Sequence, residues 1–375
     1  MNPAGYPSLG PIPSSRPYAQ TLPPRVPQTH RKPHRSLPAN KTADPEPAHE
    51  PRPNSHRWHN AFIPGFHSRP PFKVWLRNNL LDIITQLLCV LAAFLLYTFS
   101  PPLMPRYFPL YAGIEHSAFG IRYGKPYMPE YVTTLVSAIV SYVTPLLIMG
   151  AMGLWWIRDF ADGNAAIMGL GYALATATLF QAFIKLFIGG LRPHFLSICA
   201  PAIPPPGLGM MTPGPMSGVF YKASQVCTGD GSKVKEAQMS FPSGHACAAF
   251  AGFGFLALWM NAKFKVFGEG RRSGSPHLQN TANVTDENND KSGKDEPEEK
   301  EDQNGGRIQH WKLVLFATPW CLAFLLAGSK VRDEWHHPVD IIFGALVGTV
   351  FAHLAYRMVY RSIYNPRLNH IPREQ

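Results

Sequence analysis

Residues Asn79 to Phe99 read NLLDIITQLLCVLAAFLLYTF, 21 residues with one acid and no lysine or arginine. A helix rises ~1.5 Å per residue, so ~20 residues of this character cross the hydrocarbon core of a bilayer. Five more such runs follow, at roughly 132–156, 165–188, 244–261, 311–328 and 339–358. Pro145 and Pro319 fall inside two of them. Both would weaken a helix in water but are tolerated in a bundle within lipid. Gly169, Gly171, Ala173, Ala175 and Ala177 in the third run, with Gly344, Ala345 and Gly348 in the sixth, let backbones approach closely. The predicted fold class is all-α, a polytopic six-helix transmembrane bundle.

Whole-chain averages conceal this. The 375 residues are 45% apolar and 16% charged, with 38 prolines and a formal charge of +11, which alone would describe a basic soluble protein. Residues 1–73 hold 17 of the prolines and ten Lys or Arg against three acids, and are predicted to form a disordered basic cytosolic tail. Residues 262–310 are predicted to be a disordered cytosolic loop, with nine acids and three lysines between Asp286 and Asp302. Residues 361–375 read as a cytosolic tail, which leaves 74–360 as the membrane domain. This pattern argues against a single soluble domain, a disulfide-dense scaffold (there are five cysteines) and a wholly disordered chain. No apolar run precedes Val74, so the first hydrophobic helix is expected to act as an uncleaved insertion signal.

An even number of spans places both ends on one side, and the basic excess before Arg77 and after Arg357 predicts that side to be cytosolic. Loops 100–131, 189–243 and 329–338 then face a lumen. Two sequons, at Asn40 and Asn283, fall on the cytosolic side and should be unmodified. Cys89, Cys247 and Cys321 sit in spans as packing residues, whereas Cys199 and Cys227 share the long outer loop. Lumenal conditions permit a bridge there, although sequence does not give their distance.

Three polar clusters stand on that outer face. Lys185-Leu-Phe-Ile-Gly-Gly-Leu-Arg192-Pro193 ends the third span with two cations seven residues apart. Seven residues are nearly two turns, so both side chains point the same way if the helix persists through Gly189 and Gly190. Ser240-Phe241-Pro242-Ser243-Gly244-His245 opens the fourth span. A serine and a glycine at a helix N-terminus make an anion cradle, to which His245 adds a proton donor. Between the fifth and sixth spans, His336 and Asp340 are four apart, close enough for the carboxylate to orient one imidazole nitrogen and leave the other free to attack. Cations, a capped helix start and two histidines on one face are what holding a phosphate dianion and attacking its phosphorus require.

At these residues the chain resembles the type 2 phosphatidic acid phosphatase superfamily, which comprises lipid phosphate phosphatases and related vanadium haloperoxidases. The family motifs K-x6-R-P, P-S-G-H and S-R-x5-H-x3-D are matched by Lys185, Arg192 and Pro193, by Pro242 to His245, and by Ser329, His336 and Asp340. The six-span layout is similar to eukaryotic lipid phosphate phosphatases, including fungal diacylglycerol pyrophosphate phosphatases. The resemblance implies a magnesium-independent enzyme in which His336 attacks phosphorus, Asp340 orients it and His245 protonates the leaving lipid oxygen. Lys185, Arg192, Ser243, Gly244 and a cation of the third motif would hold the phosphoryl oxygens. The arginine after Ser329 is here Lys330, which keeps the charge and loses the planar fork. Arg332, two residues on, is positioned in sequence to replace it. His337 is the competing nucleophile, but His336 keeps the family spacing. His194 is expected to pack at the interface.

The implied substrate is a membrane phospholipid such as phosphatidate, lysophosphatidate or diacylglycerol pyrophosphate. Sphingoid or polyprenyl phosphates, a phosphotransferase, or a catalytically silent phospholipid-binding protein are the alternatives. A zinc site built from His245, His336, His337, Asp333 and Asp340 lacks recognised ligand spacing and has repelling cations nearby, so neither metal nor cofactor is expected. No nucleic-acid module accompanies the positive charge. The expected location is an endomembrane, vacuole or endoplasmic reticulum, with lumenal site and cytosolic termini. Homo-oligomerisation is left open.

Overall fold

The computed structural model describes residues 68–202, 207, 209–211, 219–267 and 310–373. The disorder expected of residues 1–73 and 262–310 falls for the most part outside these residues, as do both sequons; where the ranges overlap, Phe72, Lys73, Ala262 to Phe264 and His310 are helical, because the spanning helices run past their apolar runs. Six helices are long and apolar enough to cross a membrane: α1 (Phe72–Phe99), α2 (Thr134–Ile157), α3 (Phe160–Phe187), α4 (Gly244–Phe264), α5 (His310–Arg332) and α6 (Pro338–Val359). They correspond to the six predicted runs. The largest shift in boundary is at α1, whose helix begins at Phe72 and so carries Lys73 and Arg77.

Helix α4 is apolar on every side, and 16 of its 21 residues are buried. It is therefore the hub, with α2, α3, α5 and α6 packed around it. Small residues set the closest approaches. A Cβ at Gly348 would stand 2.3 Å from the Cys247 carbonyl oxygen, and one at Gly344 would stand 2.5 Å from that of Ser243, so α6 lies directly on α4. Helix α1 packs on α3 and buries only Asn79 and Ala93. Leu81, Leu87 and Leu88 point outward, an apolar face suited to lipid. The seam between α1 and α3 is polar: Tyr172 donates to Asp82 Oδ1 at 2.7 Å, and Asn164 donates to Asn79 Oδ1 at 2.9 Å. The single acid of the first run thus has a partner within the bundle.

One end of the bundle is closed by the segment after α6. The expected tail folds back, with Arg373 N–H donating to Val359 O and Tyr356 OH to Asn369 O. Asp162 there accepts from Lys263 and Tyr360.

The other end carries a cap built from the loops between α1 and α2 and between α3 and α4. It includes an antiparallel sheet in the order β1 (Tyr107–Pro109), β3 (Val219–Lys222), β2 (Met210–Met211), with Phe108 opposite Tyr221 and Met210 opposite Phe220. This sheet was absent from the predicted all-α fold, because strands of two to four residues leave no alternation to read. Phe108, Phe195, Cys199, Val226 and Val234 form a second small core beneath it. Cys199 and Cys227 are joined by a disulfide.

Candidate active site

The condition placed on the first polar cluster, a helix persisting through Gly189 and Gly190, is not met. Helix α3 stops at Phe187, and Gly189 (φ +52°) and Gly190 (φ +118°) turn the chain, so the helix does not persist to Arg192. Glycine supplies these positive φ values without the Cβ penalty. The turn is fastened by main-chain hydrogen bonds to the second cluster: Gly190 N to Gln238 O (3.1 Å), Ser240 N to Gly190 O (3.0 Å), Phe241 N to Gly189 O (3.0 Å) and Arg192 N to Ala237 O (2.8 Å). The second cluster is joined to the third by Ser243 N, which donates to Asp340 O at 3.0 Å. Ser243 thus caps α4 with its side chain, accepting from Ala246 N, while its own amide is engaged.

The third cluster also departs from helical geometry. Helix α6 begins at Pro338 with His337 as its N-cap, so His336 precedes the helix. Asp340 Oδ2 nevertheless stands 3.5 Å from His336 Nδ1, and the same oxygen accepts from His337 N at 3.1 Å and from Ser240 Oγ at 2.5 Å. Ser240 Oγ is itself 3.5 Å from His336 Nδ1. These partners favour the tautomer with the proton on Nδ1, which leaves Nε2 with its lone pair. Burial favours the neutral His336 imidazole, lowering its pKa from the ordinary value against the opposing pull of Asp340. His337, by contrast, directs Nε2 to Leu191 O at 3.3 Å.

Around this pair lie the cations. Lys185 is buried and donates from Nζ to Met239 O at 3.2 Å. Arg192 is buried, stacks over the Trp335 ring at 4.5 Å and pairs with Glu236 at 3.2 Å. Its Nε and Nη1 have no hydrogen-bond partner among the described residues. Lys330 is fully buried, with Asp333 Oδ2 at 3.3 Å and Glu130 Oε2 at 3.5 Å. His245 stands at the start of α4, its Nε2 without a hydrogen-bond partner and 3.7 Å from Glu130 Oε2.

The structure therefore brings together Lys185, Arg192, Ser243, Gly244, His245, Lys330, His336 and Asp340. It does not bring Arg332 to them. Arg332 is exposed and lies over the Tyr131 ring at 4.9 Å, because the residue two positions from Lys330 projects from another side of α5. The expectation that Arg332 supplies the missing fork is corrected. His194 is buried between Tyr127 and Trp335, with Nδ1 2.9 Å from Glu334 O; burial lowers its pKa to about 4.

The PAP2 superfamily model matches residues 166–364, which contain all three clusters. The chain belongs to the PAP2 superfamily. Among relatives of this PAP2 chain, a PA-phosphatase related-family protein of Dictyostelium discoideum is 32% identical over 248 residues, 66% of this chain and 62% of that protein. Lipid phosphate phosphatase 2 of Arabidopsis thaliana is 28% identical over 231 residues, 61% of this chain and 62% of that one. Diacylglycerol pyrophosphate phosphatase 1 of Saccharomyces cerevisiae is 24% identical over 310 residues, 80% of this chain and 85% of that one. The chain spans less than two thirds of the length of the Dictyostelium and Arabidopsis proteins. No solved structure gives a significant match. With its six apolar helices, this PAP2 chain is a multi-pass membrane protein.

Glu130 and Glu236 stand in the candidate site without any signal read from the sequence, and Ser240 and Asp333, which lie within quoted clusters, were given no part in holding its members. Ser240 stands two residues before Pro242, where proximity to the second motif was a usable signal. Glu130 comes from the loop before α2, more than 50 residues from the nearest motif. That loop is strapped across the site by Trp335 Nε1 to Met128 O (2.9 Å) and Tyr131 N to Asp333 Oδ2 (2.8 Å).

Proposed function

We propose that this PAP2 protein is an integral-membrane lipid phosphate phosphatase working through a phosphohistidine at His336. The observation that carries the reading is a neutral, Asp340-oriented imidazole set among cations, with unpartnered buried donors on Arg192 and an unpartnered buried ring nitrogen on His245. Phosphoryl oxygens are suited to those donors, to Lys185 and Lys330, and to the amides at the start of α4. His336 Nε2 attacks phosphorus, the ester P–O bond breaks, and His245 gives a proton to the departing lipid oxygen. Water, giving its proton to His245, then attacks the phosphohistidine, releasing inorganic phosphate and restoring His336. Lys185, Arg192 and Lys330 supply the charge stabilisation, so turnover should persist without magnesium.

The cap lies at the mouth of the helical bundle, where the phosphate of an amphiphile would sit while its acyl chains stay in lipid. Phosphatidate, lysophosphatidate and diacylglycerol pyrophosphate are the proposed substrates, and the Saccharomyces relative's name supports the last of these. The Cys199–Cys227 bridge supports a lumenal placement of the cap, since disulfides persist in oxidising compartments. With the basic flanks this favours an endomembrane location, vacuole or endoplasmic reticulum, with cytosolic termini. The test is phosphate release from a panel of lipid phosphates, with magnesium and with chelator, by wild type and His336→Ala. Loss of release in the variant, with expression and topology intact, supports the nucleophile; equal release overturns it. Phosphatidate binding without release by wild type would mark a silent binding protein.

A further inference from the structure

A cavity of about 450 Å³ opens in the cap apart from the catalytic cluster, between the chain leaving α1 and the helix Gly231–Ala237. Arg106, Lys222 and Lys235 line it, and no carboxylate is among its described lining residues. Asp230, beside it in sequence, directs its carboxylate to the Ser232 and Lys233 amides. Lys235 Nζ donates to Thr98 O at 2.9 Å, Arg106 Nη2 donates to Ile188 O at 3.1 Å, and Lys222 Nζ stands 5.4 Å from the centre of the Tyr107 ring. The three charges thus meet carbonyls and a ring rather than acids. Arg106 Nε and Nη1 are buried with no hydrogen-bond partner among the described residues. Burial without an acid lowers the pKa of this guanidinium from its usual value.

The cavity's depth points to its ligand. It lies where α1 ends at Phe99 and α3 ends at Phe187, and Phe99, Leu103, Met104 and Ile188 are exposed around it. A basic hollow with an apolar, outward-facing skirt at the end of two spanning helices matches a lipid whose headgroup carries a phosphate. We propose that this cavity binds the phosphodiester headgroup of an anionic phospholipid from the leaflet on the cap's side, its acyl chains lying along Phe99, Leu103 and Ile188.

The site reaches the catalytic turn through one side chain. Arg106 Nη2 is also 3.4 Å from Lys185 O, and a Cβ at Gly189 would stand 1.7 Å from that same nitrogen. A headgroup engaging Arg106 therefore steadies the turn by which α3 passes to Arg192. Binding does not depend on the phosphatase reading.

The test uses the full chain in neutral detergent micelles, titrated with phosphatidylglycerol, phosphatidylcholine or inorganic phosphate while the thermal midpoint is followed. Phosphatidylglycerol is a diester, so a phosphomonoesterase does not consume it. A saturable rise with phosphatidylglycerol and none with phosphatidylcholine is expected. Lys222→Gln/Lys235→Gln should weaken that response by about tenfold or more, whereas Lys233→Gln, an exposed lysine outside the cavity, should not. Stabilisation by inorganic phosphate should survive the double substitution, since it would arise at the catalytic cluster. An equal response to phosphatidylcholine overturns the proposal. So does a phosphatidylglycerol response that persists in the double variant and vanishes in Arg192→Ala, which would place the lipid at the catalytic cluster.

Discussion

Ser240 Oγ donates to Asp340 Oδ2 at 2.5 Å while standing 3.5 Å from His336 Nδ1, so one hydroxyl touches both members of the imidazole–carboxylate pair. Ser240 is buried and sits on the strand-like link between the first two clusters. It therefore acts as a positioning residue: it fixes the carboxylate that fixes the ring. Ser240→Ala is expected to lower kcat about tenfold or more, with KM nearly unchanged, and Ser240→Thr should recover part of the loss. Steady-state kinetics on a lipid phosphate would show this split, and an effect on KM alone would contradict it.

Glu130 brings negative charge to within 3.5 Å of Lys330 and 3.7 Å of His245. Such a carboxylate opposes a phosphate dianion at the same cations. Glu130→Gln should tighten competitive inhibition by inorganic phosphate, by about tenfold or ~1.4 kcal/mol, a fraction of the Coulomb energy at these separations. Inhibition constants measured on both proteins would decide it.

The two basic residues in the last turn of α5 should behave differently. Lys330 is enclosed within the cluster, so Lys330→Ala is expected to cost about 10²–10³-fold in kcat/KM, the usual effect of removing one stabilising donor. Arg332, exposed against Tyr131, should tolerate alanine with less than about a threefold change. Equal effects at both positions would place Arg332 in the site after all.

Burial lowers the His336 pKa from its ordinary value, and in the proposed mechanism the neutral ring is the form that attacks. Activity due to this group is therefore present above its pKa and lost as pH falls through it. The acid limb of kcat/KM should lie well below the ordinary imidazole value of about 6.5. A limb near pH 6.5 that Ser240→Ala shifts would instead place the titrating proton on His336 in solvent-like surroundings.

The Cys199–Cys227 bridge closes a loop with a sequence separation of 28 residues. Chain entropy assigns such closure about 3–4 kcal/mol. Cys199→Ser should lower the thermal midpoint measurably and abolish the mobility difference between reduced and non-reduced gels. No change in either would mean the thiols are free in the protein.

The spans were legible because lipid demands long uncharged runs, which local composition records directly. The grouping of the candidate site residues was legible in part: spacing brings the three clusters to notice, whereas the path between them depends on turns. Lys185 and Arg192 would align along one face only if the helix continued past Gly189 and Gly190; these two glycines bend the chain, and Arg192 is set by Trp335 and Glu236 instead. His336 and Asp340 were paired by their four-residue spacing, and they do meet, but across the helix cap, because His336 precedes α6. Glu130 was invisible because its relation to the site is purely tertiary, carried by contacts from Met128 and Tyr131 to residues some 200 positions away.

The link from Gly189 to Phe241 joins the first two clusters through peptide groups alone. Main-chain pairing is indifferent to which side chains decorate it but sensitive to count. Point changes at Leu191 or Met239 would leave the register intact, whereas adding or deleting one residue between Gly190 and Arg192 would carry the guanidinium off its indole platform. This stretch should therefore accept spelling changes and reject changes of length.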